Sequence, residues 1–361
     1  MACPGRAAGH ARRGRGVGRS PRTRGTARHL GADRESALSI SEIAAGRPGR
    51  RWSVTGAGGQ LGRCLVERLG VHPRHTLAAG YRHADLEITD RDAVRRTLLD
   101  ASGGPPAVVV NAAAMTDVDR CESEPEAAWR VNALAPGLLA ETCREIGATF
   151  VQISTDYVFA GTASRPYRED DPTDPRSVYG RTKREGEQRA QEAGAPALIV
   201  RTAWLFGPGR NFVRTILTAA ARTLRGEGPA LRVVEDQRGS PTWADHLALG
   251  LIGLVEAEAL GTYHLANSGS ATWWGLARAA VDAWGHPELP IEKVTTAEFP
   301  RPAPRPSWSV LDLGKARRAG VVLPSWQEGL RGYLRSADAP FAPAPTHAPG
   351  RFGRSPTGDR T

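Results

Sequence analysis

Tyr179 and Lys183 stand four residues apart in SVYGRTKREGE, within residues 175–193, which we predict to form a helix closed by Gly194. Residues four apart on a helix share one face, so the phenol and the ammonium would be neighbours. A nearby positive charge favours phenolate and lowers the pKa of a tyrosine. Such a tyrosine can give a proton to a carbonyl oxygen as hydride reaches the carbon. The spacing alone leaves a second interpretation open, a solvated helix face.

Thr155, in ISTDYVF, offers a third polar group for the same reaction. It lies at the carboxyl end of a predicted strand, where open parallel sheets place their ligands, so its hydroxyl would hold the same carbonyl oxygen. The chain has six tyrosines and only three lysines among 361 residues. A Tyr–Lys pair at this spacing is therefore uncommon by chance.

The segment TGAGGQLG places Gly56, Gly59 and Gly62 between a predicted strand, residues 52–55, and a predicted helix, residues 60–69. The first glycine would permit a tight turn, the second a close approach to pyrophosphate, and the third close helix–strand packing. Backbone amides at the helix start would then face the phosphate charge. This position favours a dinucleotide site over the alternative, a purely structural turn.

Arg82 ends the second predicted strand, TLAAGYR, where an acidic residue commonly holds the adenosine ribose. An arginine there suits a ribose 2′-phosphate and favours NADPH over NADH. The alternative is an ordinary surface arginine, because arginine is abundant in this chain.

Strands and helices alternate along the first part of the chain. The further predicted strands are PAVVVNAAA, ATFVQISTDYVF and APALIVRTAWLFG, and the further predicted helices are DRDAVRRTLLDA and residues 126–146. This alternation predicts an α/β fold, a Rossmann-type doubly wound parallel sheet covered on both faces. We predict an NAD(P)-binding domain over residues 51–210. Residues 211–335 are predicted to be mainly a smaller substrate-binding region, interleaved with the first.

Charge and apolar patterning limit the class of protein. The formal net charge is +10, but eleven arginines and only three acidic residues fall within residues 1–50. No nucleic-acid partner is therefore predicted. No apolar run is long enough to span a bilayer, and the four cysteines have no metal-binding spacing, so we predict a cytoplasmic protein without a membrane partner. Residues 1–50, rich in arginine, and residues 336–361, rich in proline, are predicted to be disordered extensions.

Together these motifs resemble the extended short-chain dehydrogenase/reductase family, and within it the dTDP-4-dehydrorhamnose reductases. The resemblance covers about residues 52–335. Its motifs are TGAGGQLG, VVNAAAMTDVDRCESEPEAAWRVNA, ISTDYVFAGTASRPYREDDPTDPRSVYGRTKREGE, RTAWLFG, VVEDQRGSPTWADHLA, GTYHLANSG and RPSWSVLD. The resemblance implies reduction of the C4 ketone of dTDP-4-dehydro-L-rhamnose by NADPH, or NADH, to dTDP-L-rhamnose.

The resemblance also implies roles for single residues. Tyr179 would be the proton donor, and Lys183 would hold the nicotinamide ribose and tune Tyr179. The other implied contacts are Thr155, Asp156, Trp204 and Arg305 for the nucleotide-sugar, Gly59, Gln60 and Leu61 for the pyrophosphate, Asp85 and Leu86 for the adenosine, and Ala114, Met115 and Thr116 for the nicotinamide. Trp204 alone would be interpreted as a core aromatic. Some family members are described as dimers with Mg²⁺ bound by interface acids, so a homodimer and Mg²⁺ are candidates here, although no motif locates those acids.

Two other interpretations stay open. One is a sibling enzyme, such as another dTDP-deoxysugar 4-ketoreductase, dihydrostreptose synthase or an epimerase. Dehydratases of the family carry Asp-Glu after the threonine, and the sequence here is Thr155-Asp156-Tyr157. The other is a non-catalytic subunit, since the regulatory beta subunit of methionine adenosyltransferase has the same fold. The presence of Tyr179, Lys183 and Thr155 counts against it.

Overall fold

The central sheet of the computed structural model, which describes residues 48–341, has six parallel strands. The strands of the described chain are β1 (Arg51–Thr55), β2 (Thr76–Tyr81), β3 (Val108–Asn111), β4 (Thr149–Thr155), β5 (Ala197–Thr202), β6 (Leu205–Phe206), β7 (Leu231–Val234), β8 (Arg238–Gly239), β9 (Thr242–Trp243), β10 (Gly261–His264), β11 (Ala271–Thr272) and β12 (Ile291–Val294). The strand order in the central sheet is β10-β5-β4-β3-β1-β2, and every neighbouring pair is parallel. The predicted Rossmann-type parallel sheet is thus confirmed.

Helices cover both faces of this sheet. The helices of the described chain are α1 (Gln60–Gly70), α2 (Arg91–Leu99), α3 (Val118–Ser123), α4 (Pro125–Trp129), α5 (Ala135–Ile146), α6 (Val178–Glu192), α7 (Phe212–Leu224), α8 (Ala244–Glu256), α9 (Trp273–Ala283), α10 (Gly314–Arg318) and α11 (Trp326–Arg335). One apolar core lies between the sheet and α1 with α8, and another between the sheet and α2, α5 and α6. None of the helices in the described part of the chain is long and apolar enough to cross a bilayer.

The C-terminal part of the chain contributes to the sheet and also forms a third core. Strand β10 pairs with β5 at the edge of the sheet. The third apolar core forms among α7, α9, α11, β7 and β12. Residues beyond 211 are therefore interleaved with the parallel sheet in space, and they bring their own packed layer to one side of it.

Several predicted elements end differently in the structure. The run APALIVRTAWLFG, predicted as one strand, breaks after β5, because Trp204 has φ of 46° and an extended strand does not allow this left-handed conformation. The strand predicted to reach Phe159 ends at Thr155, which caps a 3₁₀ turn, Asp156–Val158. Helix α6 starts at Val178 rather than at residue 175, because the Ser177 hydroxyl accepts a hydrogen bond from the Gly180 N–H at 3.1 Å.

The helix predicted over residues 126–146 is interrupted by a π-helical turn, Arg130–Leu134. Pro136 follows this turn and has no N–H, so the ordinary i to i−4 hydrogen bond to Asn132 is missing. Such wider turns inside helices are frequent at functional sites.

Two ends of the described chain correct the predicted extensions. The Arg50 carbonyl accepts a hydrogen bond from the Thr76 N–H at 3.0 Å, and the Phe341 ring lies 4.9 Å from the Trp284 ring. Residues 48–50 and 336–341 therefore contact the folded body. The prediction of disorder rested on composition, which could not show that Phe341 has an aromatic partner. The rest of the predicted disorder lies outside the described residues.

Candidate active site

Two cavities lie side by side along the carboxyl ends of the central strands. The smaller has a volume of about 490 Å³ and the larger about 700 Å³. Gly59 and residues 112–114 line both cavities and mark their junction. Open parallel sheets bind their ligands at this edge, and the two joined spaces suit a ligand with two halves.

The glycine loop lies at this junction. Gly56 has φ of +70°, and a side chain there would meet the backbone of residues 112–113. A side chain at Gly62 would overlap the Gly56 carbonyl, so helix α1 packs directly on the loop. No side chain caps the N-terminus of α1, which leaves its first N–H groups available to a phosphate. Of the neighbouring predicted contacts, Gln60 and Leu61 line the larger cavity.

The smaller cavity is bordered by two arginines, Arg82 and Arg130, and one acid, Glu87. His83 and the buried Leu86 also line it. Asp85, which the sequence also assigned to this site, instead accepts a hydrogen bond from the Arg82 N–H at 2.8 Å and closes the turn after β2. Sequence reasoning missed His83 and Arg130. A ribose phosphate would meet positive charge here.

Asn132, in the π-helical turn, fixes the loop after β3. Its Oδ1 accepts a hydrogen bond from the Met115 N–H at 2.9 Å, and its Nδ2 donates to the Met115 carbonyl at 3.0 Å. Met115 thus acts through its backbone, while Ala114 and Thr116 line the larger cavity. Sequence reasoning missed Asn132. The signal available was a polar residue at a buried position of a helix.

Tyr179, Thr155 and Lys183 all line the larger cavity. Thr155 ends β4 and Tyr179 lies in the first turn of α6, so both side chains face the same cavity. The structure therefore brings together the three residues that were predicted to act in one reaction.

The pKa of Tyr179 is raised in this structure, mainly by burial of the phenol, whereas the neighbouring Thr155 hydroxyl acts in the opposite direction. Burial lowers the pKa of Lys183 to about 8, and the negative charge of Glu187 partly opposes this. The Lys183 ammonium donates to the Ile153 carbonyl at 2.6 Å. The pKa of the Tyr179 phenol is thus raised by burial, and the tuning of Tyr179 by Lys183 stays a prediction.

A line of buried polar side chains crosses three strands and ends at Lys183. Thr55 donates to Asn111 Oδ1 at 2.6 Å, and Asn111 Nδ2 donates to Gln152 Oε1 at 2.8 Å. Gln152 Nε2 then donates to the Ile153 carbonyl at 2.7 Å, the same oxygen that Lys183 contacts. A fully paired buried network favours one geometry, so it helps to fix the position of this carbonyl.

Free hydrogen-bonding capacity is concentrated beside Thr155. The buried atoms Asp156 Oδ2, Ser154 Oγ and Thr202 Oγ1 have no hydrogen-bond partner among the described residues, and all three side chains line the larger cavity. Unpaired buried polar atoms are costly in a folded protein, which indicates that a polar ligand completes them. Ser154 and Thr202 were not predicted as site residues.

Trp204 forms one wall of the larger cavity together with Trp273. The two indole rings are stacked at 3.6 Å with an interplanar angle of 3°, and Phe212 lies 4.5 Å from Trp273. Trp273 Nε1 donates to Gln237 Oε1 at 3.0 Å, which fixes the ring. Trp204 was predicted to contact the sugar, and Trp273 and Phe212 were missed because they follow Trp204 by many residues in sequence.

Arg305 lies outside the lining of the larger cavity. It forms an ion pair with Asp119 at 3.0 Å and borders a separate pocket of about 60 Å³ beside Tyr157. The exposed Arg210, which the sequence did not single out, lines the larger cavity instead. The cation predicted to meet a diphosphate is thus already paired, and a different arginine faces the space.

Within residues 48–341, one group of side chains has ligand atoms close enough together to hold a metal ion, namely His72, His75 and Glu256. Its imidazoles accept backbone N–H groups through Nδ1, so in neutral rings the proton is on Nε2, the atom that faces Glu256. Arg74 also pairs with Glu256. Mg²⁺ prefers oxygen ligands, so this group does not fit the Mg²⁺ suggested by the sequence.

The parallel sheet, the glycine loop after its first strand and the Tyr–Thr–Lys group at the strand ends define a Rossmann-type protein of the short-chain dehydrogenase/reductase class. The chain belongs to the RmlD substrate binding domain family, whose model matches residues 50–338. This match includes the sheet and the C-terminal elements.

Individual relatives are similar over nearly their whole length. A Streptomyces griseus protein named dTDP-4-dehydrorhamnose reductase is 44% identical, over 78% of this chain and 92% of its own. A Streptomyces antibioticus protein named probable dTDP-4,6-dihydroxy-2-methyloxan-3-one 4-ketoreductase is 45% identical, over 78% and 93%. The crystal structure of dTDP-4-dehydrorhamnose reductase from Bacillus anthracis in complex with NADP has a TM-score of 0.73 and 33% identity, covering 79% of this chain and 99% of that one.

Proposed function

We propose that this protein reduces the C4 ketone of dTDP-4-dehydro-L-rhamnose with NADPH and so forms dTDP-L-rhamnose. The observation that carries the proposal is the grouping of Tyr179, Thr155 and Lys183 in one cavity, which Gly59 of the glycine loop also lines. The names of the Streptomyces griseus and Bacillus anthracis relatives, and the NADP in the latter structure, support this substrate and coenzyme.

The residues present fit a nicotinamide dinucleotide. The uncapped start of α1 beside Gly59 suits the pyrophosphate, and the positive border at Arg82 and Arg130 suits the 2′-phosphate of NADPH. Lys183, buried and directed into the strand end, would hold the nicotinamide ribose. Bound NADPH would supply hydride to the carbonyl carbon.

Tyr179 would supply the proton in this reaction. As the carbonyl oxygen gains negative charge, the phenol O–H would transfer its proton to that oxygen, and the product would leave with a C4 hydroxyl. Thr155 would orient the same oxygen through its hydroxyl. Burial keeps Tyr179 protonated until the substrate needs the proton, since the pKa of the phenol is raised.

The larger cavity also offers groups for the sugar and the diphosphate. The stacked Trp204 and Trp273 present an apolar surface against which the C6 methyl of a deoxysugar can pack. Asp156 Oδ2 is free to accept a sugar hydroxyl. Arg210 would face the diphosphate, and Arg305 would contribute only after leaving Asp119.

The Streptomyces antibioticus relative favours a second candidate of the same reaction type, reduction of the C4 ketone of another dTDP-deoxysugar. The two candidates share hydride and proton transfer and differ in the sugar that packs on Trp204 and Trp273. Mg²⁺ and a homodimer stay predictions of the sequence.

Purified protein mixed with NADPH and enzymatically prepared dTDP-4-dehydro-L-rhamnose should oxidise NADPH, and NMR of the product should give the configuration at C4. dTDP-glucose, which has no ketone, is the matched negative control. Reduction of a different dTDP-4-keto-6-deoxysugar alone would favour the second candidate. No NADPH oxidation with any such sugar would reject both and favour a non-catalytic protein.

A further inference from the structure

Gln60 joins two segments of the site that are far apart in sequence. It is the first residue of α1 and follows Gly59, which lines both cavities. Its half-buried side chain lines the larger cavity, where Nε2 donates a hydrogen bond to the Arg210 carbonyl at 3.2 Å. One residue therefore connects the start of α1, which suits a pyrophosphate, to the arginine proposed to face the diphosphate of the sugar nucleotide.

Arg210, the partner of Gln60, belongs to the β6–α7 loop, residues 207–210. Asn211, the N-cap of α7, donates through Nδ2 to the Gly207 carbonyl at 2.6 Å and to the Gly209 carbonyl at 3.2 Å. These bonds hold the β6–α7 loop and the first turn of α7 together as one unit. That unit carries Arg210 into the lining of the larger cavity.

The amide of Gln60 lies against this loop with both of its polar atoms. Because the Arg210 carbonyl can only accept a hydrogen bond, the amide nitrogen faces it and the amide oxygen faces elsewhere. Oε1 lies close to Gly207, where an added Cβ would be 3.7 Å away. Oε1 is buried and has no hydrogen-bond partner among the described residues. The side chain therefore restrains the loop through a single hydrogen bond, a modest restraint that a more firmly fixed Gln60 would strengthen.

The backbone of Gln60 lies where a bound phosphate would fix it. The N–H groups in the first turn of α1 have no partner inside the helix, and no side chain of the described residues caps them. A pyrophosphate at this helix start would accept hydrogen bonds from these N–H groups. Because the side chain of the same residue holds the Arg210 carbonyl, a fixed Gln60 backbone also restrains Arg210.

We infer that Gln60 is a positioning residue that couples the two halves of the site, so that a dinucleotide bound at α1 raises the affinity of the larger cavity for the dTDP part of the sugar nucleotide. This inference rests on the proposed function and adds cooperation between its two substrates. The coupling is reciprocal, so dTDP must raise the affinity for the dinucleotide by the same factor. It requires no large movement, because a loop ordered by one ligand loses less conformational freedom when the second ligand binds.

Calorimetric titration of the full chain with dTDP, with and without saturating NADP⁺, measures this coupling without any turnover. For the wild type, we expect dTDP to bind about 5- to 20-fold more tightly when NADP⁺ is present. Gln60→Met keeps an unbranched side chain of similar length and removes the hydrogen bond to Arg210, so the affinity ratio should fall to about one. The affinity for NADP⁺ alone should change by less than about threefold, because the phosphate binds the backbone.

Gln191→Met is the matched control. Gln191 donates a hydrogen bond to Thr262 at 3.4 Å on the surface and lines neither cavity, so its affinity ratio should equal that of the wild type. Steady-state rates give a second measurement. At saturating NADPH, Gln60→Met should raise KM for the keto sugar by about 5- to 20-fold and change kcat by less than about twofold. A Tm near the wild-type value would show that the variant is folded.

Two results would overturn the inference. One is a wild-type affinity ratio near one, and the other is a Gln60→Met ratio equal to that of the wild type, which would leave Gln60 with a merely local role. A wild type that binds neither NADP⁺ nor dTDP would reject the proposed function and the inference with it. Intact coupling in a protein that reduces no keto sugar would reject the reductase and support the role of Gln60.

Discussion

Arg201 binds Glu187 through two hydrogen bonds of 2.8 Å, Nε to Oε1 and Nη2 to Oε2, and both side chains are buried. Glu187 lies one helical turn after Lys183 on α6, and Arg201 lies on β5. The helix that carries Tyr179 and Lys183 is therefore joined to the sheet by a buried, bidentate ion pair.

Removing one partner of this pair should be strongly destabilising. Arg201→Met leaves Glu187 buried without its main partner, and we expect the free energy of unfolding to fall by about 3–5 kcal/mol. Urea denaturation gives the value. The double variant Arg201→Met with Glu187→Met should lose less unfolding free energy than the sum of the losses in the two single variants. Strict additivity of the two changes would contradict coupling between these side chains.

Tyr179→Phe should lower kcat by about 10²–10⁴-fold, because the ring stays while the proton donor is lost. The affinity for NADPH, measured by fluorescence titration, should change little. Tyr157→Phe is the matched control, since its ring packs edge-on against Tyr179 at 5.5 Å. Equal losses in the two variants would argue against Tyr179 as the donor.

Lys183→Met should make the cofactor-free protein more stable near neutral pH. The folded pKa of Lys183, about 8, lies below its ordinary value of 10.5, so the buried ammonium costs stability at low pH, and wild-type stability rises with pH between these values. The advantage of the methionine variant should therefore shrink from about pH 8 to about pH 10. Thermal unfolding across this range measures the stability difference between the variant and the wild type. A difference that grows with pH would contradict a lowered pKa of Lys183 in the folded protein.

Arg82→Ala should raise KM for NADPH by about tenfold and leave KM for NADH nearly unchanged, since only NADPH has the 2′-phosphate. Initial rates measured with each coenzyme give the ratio of KM for NADPH to KM for NADH in the variant and in the wild type. Arg91→Ala is the control, because this exposed arginine pairs with Glu141 outside both cavities. A parallel loss for both coenzymes would assign Arg82 to the pyrophosphate or to folding.

Asn132→Asp should impair the loop around Met115. The carboxylate can still accept the Met115 N–H, but it places a second acceptor against the Met115 carbonyl, at a cost of about 1–3 kcal/mol. Lower stability should accompany weaker NADPH binding, because Ala114 and Thr116 shape the cavity. Calorimetric titration and thermal unfolding measure the two effects, and normal NADPH affinity would show that the loop does not need Asn132.

The residue pattern predicted the fold, and it predicted that Thr155, Tyr179 and Lys183 lie together, because both depend on local order along the chain. Alternating strands and helices determine a parallel sheet, and the ends of its strands meet at one edge, where Thr155 and Tyr179 lie. Gly56 and Gly62 could be assigned separate roles because each role depends on the neighbouring turn and helix.

Other features depend on contacts between distant residues. Arg305 suited a diphosphate by charge, but the sequence could not show that Asp119 already pairs with it. Trp273, the first residue of α9, lines the cavity stacked on Trp204, which turns out of its strand at a φ of 46°. The rise in the pKa of Tyr179 follows from burial, which no spacing of Tyr and Lys reveals.

The parallel stacking of Trp204 and Trp273 also gives the site an intrinsic spectroscopic signal. Two indole chromophores 3.6 Å apart share their excited state, so their emission and circular dichroism differ from those of isolated tryptophans elsewhere in the chain. A sugar that settles against this pair changes its surroundings directly. Binding in the larger cavity can thus be measured from tryptophan fluorescence or circular dichroism, without a label and before any reaction occurs.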